Sequence, residues 1–216
     1  MKIWDGEDAL NPVEEFMLDW ACIPEYQRCE ASLTPDDCDI DAFDRLRNIR
    51  ERIAEFVTSA NNLVICGKNL GCGKTEWALK MLLTYIEQSV PRFRYLDEQE
   101  VDSGAINACV FCQTVPFLVE MKQFGSNKKS LKMYERLSTT ELAVFDDISA
   151  VPMSNYDYNI LYALVEKRLF AGLSTIYTTN ATSKEELEKE IGPRLAERIW
   201  KTSKIIELKG RGYRGV

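Results

Sequence analysis

From Asn62 onward, short apolar runs alternate with longer stretches in which apolar residues recur every three or four positions. The apolar runs Leu63 to Cys66, Asn107 to Thr114, Leu142 to Phe145, Ser174 to Thr179 and Ile205 to Leu208 read as strands. Helices are expected over Lys74 to about Gln88, Val115 to about Phe124, Asn155 to about Phe170 and Lys184 to Ile191. Strands that are apolar throughout, rather than alternating, are buried on both faces. With helices between successive strands this predicts an α/β fold, a mostly parallel sheet with helices on both sides. The polar stretch 97–104 reads as a surface loop.

The first 45 residues are patterned differently. Asn11-Pro12 has the form of an N-cap followed by proline at the first helical position, with Glu14 and Glu15 in the first turn, so a short helix is expected to about Ala21. Val13, Phe16, Met17 and Trp20 make one apolar stripe on it, which either docks on the body as core or fits a groove on a partner protein. A second helix is expected over Ile40 to Thr58. Residues 1–45 hold 13 acidic side chains against three basic ones, while the whole chain carries −7, so the rest is slightly basic. This asymmetry suggests an acidic helical appendage, residues 1–45, on a body of residues 46–216.

Composition narrows the chemistry. The 216 residues include no histidine, which excludes Ser-His-Asp and Cys-His catalysis and any zinc site needing an imidazole. The first ten residues carry three acids where a signal peptide needs an apolar core, and no run approaches the ~18 apolar residues of a membrane span. A cytoplasmic protein without membrane contact is expected. Seven scattered cysteines suit reduced thiols better than a disulfide framework. Cys109 and Cys112 have CxxC spacing but would point to opposite faces of a strand, and Cys22, Cys29 and Cys38 lack a fourth ligand nearby, so no metal site is expected there.

Between the first buried strand and its helix lies Gly67-Lys-Asn-Leu-Gly-Cys-Gly-Lys-Thr75. In that context Gly71, Cys72 and Gly73 can turn backbone amides toward phosphate oxygens at a helix N-terminus. Lys74 can reach the β/γ-phosphates and Thr75 can ligate Mg²⁺, with Glu76 next in the first turn. One departure is visible: the usual spacing puts glycine at position 68, where this chain has Lys68. The strand ending Asp146-Asp147 supplies two carboxylates, Asp146 for the Mg²⁺ shell and Asp147 to orient or deprotonate an attacking water. The next strand ends at Asn180, a polar group for the γ-phosphate or that water.

With Arg194-Leu-Ala-Glu-Arg198 following and then Gly-Tyr-Arg214, this order of parts resembles the AAA+ ATPases of the DnaC/DnaI-type helicase-loader branch, and most closely the short bacteriophage-encoded loaders. The resemblance spans roughly residues 22 to 214. It implies a P-loop NTPase fold of the AAA+/ASCE kind with a five-stranded sheet, ATP and Mg²⁺ as cofactors, and ATP hydrolysis in a homo-oligomer. Under it, Lys74 and Thr75 match Walker A, Asp146 and Asp147 match Walker B, and Asn180 matches sensor 1. Arg198 is similar to the arginine finger, with Arg194 as its alternative, and Arg214 resembles sensor 2. Asp147 stands where many members have Glu, which bears on the rate of hydrolysis.

The resemblance also implies a replicative DNA helicase as partner, bound through residues 11–21 if the stripe is a docking face, and single-stranded DNA. Lys122, Lys128, Lys129 and Lys132, interleaved with Phe124 and Tyr134, form the best cluster for phosphate contact and base stacking. Rival readings are an IstB-type transposition regulator, a small-molecule P-loop kinase and a non-catalytic ATP-binding adaptor. A kinase of that kind usually carries an arginine-rich lid, which this sequence does not show.

Overall fold

The computed structural model of the chain describes residues 12–28, 33–93, 107–123, 128–150 and 152–211. Strands β1 (Asn62–Cys66), β2 (Cys109–Gln113), β3 (Leu142–Asp146), β4 (Ser174–Thr179) and β5 (Ser203–Glu207) form one sheet in the order β2-β3-β4-β1-β5. Every neighbouring pair is parallel, as helical crossovers require. The helices are α1 (Pro12–Trp20), α2 (Ile40–Glu51), α3 (Ile53–Thr58), α4 (Lys74–Phe93) and α5 (Thr114–Gln123), then α6 (Lys128–Thr139), α7 (Asn155–Phe170), α8 (Lys184–Ile191) and α9 (Pro193–Thr202).

The two-residue period of the strands divides the interior into two cores. Leu63, Ile65, Phe111, Val144 and Ile176 face one side, where α1 to α4 pack. Val64, Cys66, Val110, Phe145 and Tyr177 face the other, covered by α5 to α9. Cys109 and Cys112 fall in different cores, as strand geometry demands, and the described residues contain no metal-binding group of His, Cys, Asp and Glu. Burial pushes the Cys66 thiol up to about 12 and raises those of Cys109 and Cys112, so these cysteines stay protonated. None of the described helices is long and apolar enough to cross a membrane.

Most element limits agree with the hydrophobic pattern, and the exceptions have local causes. The helix expected over Ile40 to Thr58 is interrupted at Arg52, whose φ of −110° and ψ of 32° leave the helical basin. Helix α4 runs past Gln88 to Phe93 and holds Pro91 in its last turn. The strand expected from Asn107 to Thr114 is shorter, because Thr114 already opens α5. Helix α6 adds an element where the sequence showed only the basic cluster. Its C-terminal end is tied down by the fully buried Arg168 of α7, which donates to the carbonyls of Leu137 (2.7 Å) and Thr140 (3.0 Å) and, on β4, to Thr175 Oγ1 (2.9 Å).

The apolar stripe of α1 is core. Met17 and Leu18 are buried, Phe16 and Trp20 pack against the same cluster, and the Ala21 carbonyl accepts from Phe111 N at 2.7 Å on edge strand β2. The Arg136 guanidinium stacks over Trp20 at 4.3 Å. Of the two roles expected for this stripe, the structure shows docking on the body as core, with Met17 buried and Phe16 and Trp20 partly buried beside it; a helicase contact through residues 11–21 stays a proposal. The apolar area of these side chains is removed from water in that core, which a solvated docking helix would forgo. The expected boundary between residues 45 and 46 lies inside α2, whose Ala42, Phe43 and Leu46 share a core with α4.

Candidate nucleotide site

The carboxyl ends of β1, β3 and β4 meet at one edge of the sheet. Because β4 lies between β3 and β1, Asn180 after β4 is set between the Asp146-Asp147 pair and the loop that starts at Gly67. Open parallel sheets place ligands outside the carboxyl ends of their strands, which is where these groups converge.

The loop after β1 is shaped by its glycines. Gly71 and Gly73 have φ of 75° and 95°, a region that a side chain disfavours, and so turn the chain back onto the N-terminus of α4. Gly67 serves a different purpose: a Cβ there would lie 2.3 Å from the Leu208 carbonyl oxygen, so this glycine admits the chain leaving β5. Lys74 Nζ sits in the concavity, donating to the carbonyls of Gly67 (2.8 Å) and Asn69 (3.2 Å) and to Cys72 Sγ (3.5 Å). Glu76 is half-buried in the first turn of α4.

The two halves of the site are joined directly. Thr75 Oγ1 donates to Asp146 Oδ1 at 2.9 Å, and Thr178 Oγ1 donates to the same oxygen at 2.7 Å. Thr178 Oγ1 also accepts from Asp147 N at 2.8 Å, which fixes Asp147 in a left-handed conformation with φ 54°. Asp147 Oδ1 is buried with no hydrogen-bond partner among the described residues. Burial, and then the neighbouring Asp146, raise its pKa from the ordinary aspartate value, with Lys74 opposing them.

A second network ties the loop to the segments around it. Asn69 Nδ2 donates to the carbonyls of Lys209 (2.8 Å) and Gly210 (2.9 Å). The same two residues donate their N–H groups to Asp39 at 2.7 Å each, and Arg211 N donates to Asp36 at 2.8 Å. Arg214, three residues further on, lies outside the described residues, as do Phe124 and Cys29. Lys68 pairs with Glu186 of α8 at 2.8 Å.

The remaining expected residues occupy other surfaces. Arg194 and Arg198 are exposed on α9, and Arg198 forms an ion pair with Glu166 of α7 at 2.8 Å. Lys122 donates to the buried Asp157 at 2.6 Å, which separates it in role from the other lysines of the cluster. Lys128, Lys129 and Lys132 are exposed on α6. Lys129 and Lys132 line a groove of about 740 Å³, floored by Trp20, Phe111, Phe117 and Met133, beside β2. Tyr134 has its ring beneath Lys167 Nζ at 5.7 Å.

Sequence reasoning missed Thr178, Asn69, Asp39 and Glu186. Thr178 carried a readable signal, since it is a polar residue two positions before Asn180 on a strand that is buried throughout. The others act through backbone groups or across loops, where the sequence gives no periodicity to follow.

No protein-family model and no curated protein sequence matches the chain. Solved structures do. The DnaC helicase loader superposes with a TM-score of 0.65 at 18% identity, covering 82% of this chain and 94% of that one. DnaI superposes at 0.66 and 17% identity, covering 89% and 94%. AMPPCP-bound DnaA from Aquifex aeolicus superposes at 0.62 and 11% identity; the match covers 82% of this chain and 48% of DnaA. At these identities the likeness shows the fold: the chain shares with DnaC, DnaI and DnaA an architecture that here is a five-stranded parallel sheet with helices on both sides.

Proposed function

We propose that this chain is an ATP-dependent loader that places a replicative DNA helicase on single-stranded DNA. The observation that carries the reading is the Thr75–Asp146 hydrogen bond across a glycine-shaped loop that already encloses Lys74. It supports a site for nucleotide with Mg²⁺, built on a fold that DnaC and DnaI share over most of their length.

The residues fit ATP and Mg²⁺. Among the described residues Lys74 Nζ is held by neutral carbonyls and a thiol, partners that polyphosphate oxygens outcompete for an ammonium group. Thr75 and Asp146, already in contact, would hold the metal, which when bound supplies charge neutralisation on the phosphates. Asp147, with one oxygen free of hydrogen bonds among the described residues, is the group to orient or deprotonate the attacking water. Its side chain is one methylene shorter than the Glu that many members carry at this position, which favours slow turnover. Asn180, between the two halves of the site, would align that water, and Arg214 would complete the site as sensor 2.

In this reading subunits assemble through nucleotide, with Arg198, or Arg194, reaching the γ-phosphate held by the neighbouring copy. Single-stranded DNA lies along Lys128, Lys129 and Lys132, whose exposed charges on α6 suit phosphate contact. The test is to mix the purified chain with its host's replicative helicase, ATP and circular single-stranded DNA. Helicase retained on the circle only with ATP and this chain supports the reading. Retention that is unchanged without the chain contradicts it.

A further inference from the structure

The position that departs from the usual phosphate-loop spacing has a partner of its own. Lys68 extends to Glu186 near the start of α8, an ion pair of 2.8 Å between the loop and that helix. Its backbone is fixed, since Gly67 before it is wedged against the Leu208 carbonyl. It is also close to where phosphate would sit: the carbonyls on either side of Lys68, those of Gly67 and Asn69, are the two that hold Lys74 Nζ.

On these observations, and resting on the nucleotide-binding reading above, we infer that Lys68 is a second phosphate-recognising cation, held by Glu186 until a triphosphate enters the loop, so that its release couples nucleotide occupancy to α8. Lysine carries its charge on a flexible four-carbon stem that can exchange one anion for another without moving the backbone. The Lys68 side chain is 67% exposed and that of Glu186 35%, so solvent screens the pair and holds it weakly. A triphosphate presents several negative charges against the single one of Glu186 and wins the exchange.

Glu186 is not stranded when Lys68 leaves. Its other oxygen accepts from Thr182 N at 2.8 Å and Thr182 Oγ1 at 3.1 Å, and it lies in the first turn of a helix that Ser183 caps, where the dipole favours an anion. The exchange therefore costs this carboxylate one ligand of three. Thr182 is two residues beyond Asn180, and α8 leads directly into the α9 that carries Arg194 and Arg198. Breaking the Lys68–Glu186 contact unties the phosphate loop from the segment that joins these groups.

The experiment measures dissociation constants for Mg-ATP and Mg-ADP on the full chain and on Lys68→Ala, Glu186→Gln and the exchanged pair Lys68→Glu/Glu186→Lys, with a melting curve for each. Loss of Lys68 should weaken ATP about tenfold and ADP less than about twofold, the scale of one charge-assisted hydrogen bond. Glu186→Gln, which frees Lys68 in advance, should bind ATP at least as tightly as the parent. The exchanged pair should melt like the parent yet bind ATP as weakly as Lys68→Ala. An ATP-to-ADP ratio unchanged in Lys68→Ala, or parental ATP affinity in the exchanged pair, would overturn the inference while leaving the nucleotide site intact. A parent chain that binds neither nucleotide would overturn the site reading and this inference with it.

Discussion

Thr75 and Asp146, 71 positions apart in the chain, are joined by a hydrogen bond of 2.9 Å from hydroxyl to carboxylate. Asp146 keeps a second donor, Thr178, on the same oxygen, so its place at the end of β3 does not depend on Thr75. Thr75→Ala is expected to remove the Mg²⁺-dependent part of ATP binding, by about tenfold or more, while leaving binding in chelator and the melting temperature close to the parent's. Titrations with and without Mg²⁺ check this, and an equal loss in both would show that Thr75 serves the loop and not the metal.

The sheet and most of the site were legible because both are written in local patterns. Uninterrupted apolar runs such as Leu63 to Cys66 can satisfy their burial only between two helical layers, and the glycines at 71 and 73 sit where the structure needs left-handed backbone. What was not legible depends on contacts between distant segments. The stripe on α1 has the same pattern whether it docks on its own body or on a partner, and only the packing of Met17 and Leu18 shows the docking on the body. Gly67 looked like a misplaced loop glycine. Its reason is the Leu208 carbonyl, some 140 residues away, and that leaves position 68 to a lysine.

Acid stability has an identifiable contributor in Glu141, just before β3. Hydrogen bonds from Arg92, and then from Tyr85, hold its carboxyl below its ordinary value of 4.5 even though burial opposes them. A carboxylate with a lowered folded pKa stabilises fully above its unfolded value, and that contribution is lost as pH falls through the folded one. Glu141→Gln should therefore reduce the melting temperature at pH 7 and make it less dependent on pH below about 4.5. A parallel decline with acid in parent and variant would remove Glu141 from this role.

Arg198 is engaged with Glu166 in the single chain, a half-exposed pair that contributes little to stability. If it acts on a neighbour's γ-phosphate, Arg198→Ala should keep ATP binding and lose most hydrolysis, since such arginines are worth about 10³ to 10⁵ in rate. Mixing it with Lys74→Ala should restore part of the activity, because some interfaces pair an intact loop with an intact arginine. Co-assembly of the two variants without recovery would move the role to Arg194.

The loop and its lysine bear the whole functional reading, so the most direct measurement is equilibrium binding of Mg-ATP to the purified chain and to Lys74→Ala. The parent should bind ATP saturably at one site per chain. Lys74→Ala should lose that affinity by at least about a hundredfold, the scale of two charge-assisted contacts to phosphate, without a change of fold by circular dichroism. Equal affinity in the two proteins would contradict the assignment of this loop as the nucleotide site.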